Sequence, residues 1–148
     1  MPAELVPPEQ PTDLGTLLHG AFRGLRHRWS EQLAPWGITP AQWRALITLM
    51  HDEEGMRLKD LADRLRIAPR STTEVIDQLQ ALDLVGREPD PSDRRAVIVT
   101  PTVAGRDLAA AVLAQRRRDA DEYFAPLDDA QREQLAELLT ALVEGHQK

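Results

Sequence analysis

The chain has 148 residues, with 18 Lys/Arg against 24 Asp/Glu, a net charge of −6 and no cysteine. Disulfides, thiolate metal sites and thiol redox sensing are therefore excluded, and the length suits one domain with one sizeable core. No apolar run approaches a membrane span, and the start MPAELVPPEQPTD, proline-rich and acidic, is no signal peptide, so the protein reads as cytoplasmic with no membrane partner.

Residues 1–11 read as a flexible arm ahead of one domain over 12–148. A long helix is expected from about 13 to 33, capped by Thr12 or Asp13, with Leu14, Leu17, Leu18, Ala21, Phe22, Leu25 and Trp29 as an apolar stripe. Pro35-Trp36-Gly37 breaks it. Thr39-Pro40-Ala41-Gln42 then marks a helix start, with Thr39 as N-cap, Pro40 in the first position and Gln42 as capping-box partner. That helix runs to about Met50 with Trp43, Leu46, Ile47 and Met50 inward, and an acidic loop follows over 51–55.

Residues 58–85, LKDLADRLRIAPRSTTEVIDQLQALDLV, hold two amphipathic patterns separated by a turn at Ile67-Ala68-Pro69. Leu58, Leu61, Ala62 and Leu65 share one helical face; Thr72, Val75, Ile76, Leu79 and Leu82 share another. With Leu79 inward, Arg70, Thr73, Glu74, Asp77 and Ala81 point away from the core, and Ser71 and Gln78 sit at the border. Two closely joined helices, the second with a polar outer face, describe a DNA-reading helix-turn-helix; a plain solvated helix face fits the same pattern.

The period then changes. Residues 84–88 and 96–100 read as short strands around a turn at 89–95 rich in proline and aspartate, a β-hairpin whose charged tip holds Asp93, Arg94 and Arg95. A hairpin directly after a helix-turn-helix is a wing. Adjacent arginines suit a narrow minor groove or phosphates, and Asp93 can hold one guanidinium through a bidentate pair. Thr100-Pro101 is expected to cap a helix from Pro101 to about Phe124 with Val103, Leu108, Ala111, Val112 and Gln115 on one side. Pro126 ends it, and a last helix spans about 128–144 with Gln131 as capping-box partner and a stripe of Leu135, Leu138, Leu139, Leu142 and Val143. The fold class is thus mainly α with a small β-hairpin wing: a winged helix-turn-helix over 39–100, plus a helical dimerisation region over 12–36 and 101–148. The end helices carry leucine stripes that a second copy of the chain would cover, as a twofold homodimer.

Net acidity does not exclude double-stranded DNA as the partner. Between Met56 and Thr100 there are eight Lys/Arg and eight Asp/Glu, so this segment is neutral and supplies local positive groups at Arg57, Lys59, Arg64, Arg66, Arg70, Arg87, Arg94 and Arg95. Arg70 is the candidate for a guanine contact. Glu74 suits a cytosine N4 amine or a plain structural role, and Ser71, Thr73 and Gln78 suit bases or phosphates. Arg94 and Arg95 would grip the wing's groove with Asp93 orienting them; Arg57 and Arg66 fit either phosphate contacts or solvated surface. No catalytic or metal residues are assigned. The histidines His19, His27, His51 and His146 have no metal spacing, and there is no HExxH, cysteine nucleophile or phosphate-cradling glycine loop. The chain reads as no enzyme, with no cofactor.

The order helix, helix, helix-turn-helix, Asp-Arg-Arg hairpin, helix, helix resembles the MarR family of winged-helix transcription regulators. The residues that carry the resemblance are LADRLRIAPRSTTEVIDQLQALDLV and PDPSDRRAVIVTPTVAGRDL. It implies an obligate dimer on an inverted-repeat operator, usually repressing and often released by a small phenolic or other aromatic ligand. Such a ligand would lie where the first, second and fifth helices meet, and His19, Arg23 and Trp43 are the candidates to touch it, an arginine with aromatic walls suiting an anionic aromatic acid. Three positions depart from the common pattern. Glu74 and Gln78 stand where arginines are frequent, Asp83 replaces a glycine at the helix end, and Ser92 takes a wing position that often holds arginine. The alternative reading is a winged-helix dimer acting as a protein–protein adaptor without ligand sensing.

Overall fold

The computed structural model describes residues 13–146; the arm read over 1–11, and Thr12 as a cap, lie outside the described residues. The elements run α1 (Leu14–Glu31), a single 3-10 turn (Ala34–Trp36), α2 (Pro40–Leu49), β1 (Met56–Arg57), α3 (Leu58–Leu65), α4 (Pro69–Ala81), β2 (Val85–Asp90), β3 (Asp93–Pro101), α5 (Val103–Tyr123) and α6 (Asp129–Gly145). Asp13 caps α1 by accepting from the Thr16 N–H at 3.1 Å. The expected capping boxes form at α2, between Thr39 and Gln42, and at α6, between Asp128 and Gln131.

The three strands form one antiparallel sheet in the order β1-β3-β2. β1 escapes sequence reading because two residues carry no period; Met56 and Arg57 pair with Val99 and Ile98. Gly55 leads into it at φ +82°, and a Cβ there would meet the Val99 carbonyl oxygen at 2.7 Å. The hairpin is longer than expected, since both strands continue and only Pro91 and Ser92 are left to turn the chain. Thr100 and Pro101 belong to β3, so they do not cap α5. Thr102 does, accepting from the Gly105 N–H at 3.0 Å.

Leu46 and Leu49 of α2, Leu61 of α3, Ile76 and Leu79 of α4, Val85 and Val99 of the sheet, and Ala109 and Val112 of α5 make one continuous core. Gly105 lets α5 approach closely: a Cβ there would sit 2.1 Å from the Leu84 carbonyl oxygen. Val103, expected inward, is exposed, because the buried face of α5 runs through Gly105, Ala109 and Val112.

The two end helices differ from this winged unit. Tyr123 of α5 donates to the Ala21 carbonyl of α1 at 2.9 Å, which ties the termini together. Yet neither α1 nor α6 contains a buried residue. Leu14, Leu17, Leu18 and Phe22 on α1, and Leu138, Leu142 and Val143 on α6, are all about half exposed or more. An apolar groove of about 580 Å³ runs between the two helices. None of the helices described is long and apolar enough to cross a membrane.

Candidate nucleic-acid interface

α3 ends on Arg66 in the left-handed conformation, φ 54°, and the chain re-enters a helix at Pro69 with Ala68 as N-cap. Ala68 supplies no side-chain oxygen, so the first N–H groups of α4 keep no side-chain acceptor. An uncapped helix start of this kind suits a phosphate oxygen. Thr72, Ile76 and Leu79 bury one face of α4, and Arg70, Ser71, Thr73, Glu74, Asp77 and Gln78 are exposed. Asp83, two residues beyond α4, takes the left-handed conformation at φ 60°, which aspartate tolerates better than most residues.

The exposed face is partly prearranged. Arg70 is 93 % exposed and its Nε lies 3.7 Å from Glu74 Oε1, a loose pair that leaves the guanidinium available. Asp77 is held at 2.6 Å by Arg87 of β2, which also donates to Gln80. Arg87 is therefore occupied in cancelling an acid of α4. Thr73 donates its hydroxyl back to the Pro69 carbonyl at 3.0 Å. Gln78 accepts from Gln42 of α2 at 2.9 Å.

At the hairpin end, Arg94 and Arg95 are exposed, and among the described residues neither has a carboxylate within ion-pair distance. Asp93 does not hold a guanidinium as expected: its Oδ1 accepts the backbone N–H of Arg95 at 3.0 Å, because a carboxylate two residues back reaches that amide more readily than the side chain. The carboxylate that does clamp an arginine is Asp90. Its side chain is only 4 % exposed, and its Oδ2 takes Arg57 Nε at 2.6 Å and Nη2 at 2.5 Å. Its Oδ1 accepts the Ser92 N–H at 2.8 Å. Asp90 thus ties the hairpin turn to the strand before α3. Its place in a turn rich in proline and aspartate carries no sign of a partner 33 positions away.

The Ser92 N–H holds the Asp90 carboxyl below the ordinary carboxylate range; burial opposes this and Arg57 reinforces it. A folded-state pKa below the unfolded one means stability that is fully present above the unfolded value of about 4 and lost as pH falls through the folded value. Asp90→Asn is therefore expected to lower the melting temperature at pH 7 and to flatten its decline on acidification below about pH 4. Thermal melts across pH measure this, and an acid limb identical to wild type would remove Asp90 from its cause.

A second arrangement lies where α1, α2 and α5 meet. The Arg116 guanidinium stacks between two indoles, 5.0 Å from the Trp29 ring centroid and 4.7 Å from that of Trp43. Burial pushes the Arg116 guanidinium below its ordinary value. A cavity of about 530 Å³ opens here, lined among others by Phe22, Trp29, Trp43, Arg26, Arg44 and Arg116. Trp43 is where the sequence placed it. His19 and Arg23 are not part of this lining; both are exposed on α1, Arg23 beside Arg26 and His27. The arginine facing the aromatic walls comes instead from the Arg116-Arg117-Arg118 run, where three adjacent arginines gave no hint of which one turns inward.

The model of the MarR family matches residues 38–97. An uncharacterised HTH-type transcriptional regulator of Mycobacterium leprae is 34 % identical over 136 residues, spanning 90 % of this chain and 92 % of the relative. Wild-type MarR from Escherichia coli in its apo form has a similar fold, with a TM-score of 0.80 at 24 % identity over 90 % of this chain and 98 % of that one. A MarR variant from the same organism, complexed with operator DNA, superimposes with a TM-score of 0.66 at 25 % identity, covering 87 % of this chain and 92 % of its own.

Proposed function

This chain belongs to the MarR family of DNA-binding transcription regulators, and from that premise we propose that it acts as a homodimer that binds an inverted-repeat operator as a repressor and is released by a small aromatic or phenolic ligand. The organisation that goes with it is a winged helix-turn-helix over 39–100 and a dimerisation region over 12–36 and 101–148. The observation that carries the reading is the charge arrangement of the winged unit. Asp77 is cancelled by Arg87 and Glu74 faces Arg70, while Arg94 and Arg95 have no acidic partner among the described residues. A protein of net charge −6 thus offers an exposed, loosely paired cation on α4 and unpaired cations at the wing. The structural relative bound to operator DNA supports the same use.

In this reading Arg70 contacts a guanine, and Ser71, Thr73, Glu74 and Gln78 complete the face of α4 in the major groove. Arg94 and Arg95 take the flanking groove or its phosphates, and Asp93 shapes the backbone beneath them. Selection from random duplex DNA with the pure protein tests the proposal. An enriched inverted repeat with half-sites about one helical turn apart is expected; no enrichment at low salt would overturn it.

The effector would occupy the cavity beside Arg116. Its lining combines indole faces with arginines, which suits a flat anion such as an aromatic carboxylate. Titration with salicylate is expected to change tryptophan emission, since Trp29 and Trp43 form the walls, and Arg116→Met is expected to abolish the response. No change across the millimolar range in wild type would leave the protein without this effector class.

A further inference from the structure

The reading helix owes the orientation of one side chain to a residue outside the helix-turn-helix. Gln42, in the first turn of α2, is buried at 7 % exposure. Its Oε1 accepts the backbone N–H of Thr39 at 3.0 Å, while its own N–H donates to Thr39 Oγ1 at 3.2 Å. A main-chain N–H can only donate, so the Gln42 atom facing it must be the oxygen and the opposite atom the amide nitrogen. That nitrogen, Nε2, meets Gln78 of α4 at 2.9 Å. Polarity is passed on: the Gln78 atom turned toward α2 must be an acceptor, Oε1, and its Nε2 is the end left to face outward. Among the described residues that Nε2 has no acceptor, and Gln78 lies on the exposed face that carries Arg70, Glu74 and Asp77.

We propose that Gln42 is a specificity-determining positioning residue: the relay Thr39–Gln42–Gln78 holds Gln78 with its donor end toward the DNA. This rests on the DNA-reading function proposed above. A free glutamine reads adenine with both ends of its amide, accepting from N6 and donating to N7. A glutamine whose oxygen is turned inward onto Gln42 presents only its NH₂ to the groove. It therefore favours a base edge made of acceptors, which in the major groove is guanine, with O6 and N7 side by side. Cytosine, which offers only the N4 donor, is the base it rejects.

Gln42→Glu separates this role from a merely structural one. Glutamate is an equally good capping-box partner, so one carboxylate oxygen still accepts from Thr39 and the start of α2 is kept. The other oxygen can only accept, which forces Gln78 to turn its Nε2 inward and its Oε1 outward. Operators bearing each of the four bases at each position are bound to wild type, Gln78→Ala and Gln42→Glu, with affinity read by fluorescence anisotropy. Gln78→Ala is expected to flatten preference at one symmetric pair of positions, which identifies the base it reads. At that pair wild type is expected to favour guanine over cytosine by roughly tenfold per half-site. Gln42→Glu is expected to reverse the order toward cytosine or adenine there and nowhere else.

Two outcomes overturn the relay while leaving DNA reading intact: unchanged preference at that pair in Gln42→Glu, or Gln78→Ala flattening no position. A wild-type protein that prefers no sequence overturns both readings. Should Gln42→Glu fail to fold, side-chain amide exchange in wild type decides. Gln42 NH₂ protons protected from solvent and Gln78 NH₂ protons unprotected support the relay, and equal exchange refutes it.

Discussion

Arg95→Ala is expected to weaken operator binding by about two orders of magnitude or more at physiological salt while leaving the melting temperature within a degree or two of wild type. The size follows from the chemistry of the contact: a hydrogen bond to a charged group contributes roughly 1.5–3 kcal/mol, and a twofold complex loses two of them. The unchanged stability follows from the structure. Arg95 is exposed, its side chain has no acidic partner among the described residues, and its backbone N–H, held by Asp93, is unaffected by the substitution. A phosphate contact and a base contact can be told apart by salt. Each neutralised phosphate contributes about 0.9 to the slope of log affinity against log salt, so a phosphate-binding Arg95 lowers the slope by about 2 for the dimer. Anisotropy titrations over a salt series measure both quantities, and a folded variant with unchanged affinity would remove the wing from the binding site. Arg87→Ala provides the contrast. Its guanidinium is spent on Asp77 and Gln80, so its loss would uncover an acid on α4 and repel the duplex.

Leu142→Glu is expected to have the largest effect on assembly, turning the proposed homodimer into a monomer at micromolar concentration. Leu142 is 53 % exposed and lines the groove between α1 and α6 with Leu14, Leu17, Leu18 and Leu138. An apolar stripe left in water suits an interface, and the proposed twofold arrangement would bury the same stripe from both copies. A carboxylate in the middle of that surface would be desolvated without a counter-charge, which costs several kcal/mol. The core of the winged unit does not use Leu142, so the far-ultraviolet circular dichroism should be preserved. DNA affinity should nevertheless fall by roughly two to four orders of magnitude, because two linked half-sites become two independent weak ones. Sedimentation velocity measures the first effect and anisotropy the second. A variant that remains dimeric would place the interface elsewhere.

The two variants separate the parts of the proposed mechanism. Loss of binding in Leu142→Glu comes from lost linkage with each reading unit intact, and loss in Arg95→Ala comes from lost contacts with the assembly intact. A ligand acting in the cavity beside Arg116 belongs to neither class. It touches α1, α2 and α5 at once, and those helices join the termini to the winged unit.

Local chemistry carried much of the architecture. Capping residues at Thr39, Gln42, Asp128 and Gln131, the proline at the start of α4 and the apolar spacing of α3 and α4 each act over three or four residues, and each element forms where they place it. The exposed reading face of α4 follows from helical period alone, because a helix that buries Thr72, Ile76 and Leu79 has no choice about what it shows. Tertiary structure alone decided which polar groups meet across the fold. Asp90 on Arg57, Arg87 on Asp77, Gln42 on Gln78 and Arg116 between Trp29 and Trp43 join residues 33, 10, 36 and, for Trp43, 73 positions apart. No periodicity encodes such pairs. A side chain's reach is a few ångströms, and whether two of them meet depends on how helices and strands pack, which is settled only when the whole core closes.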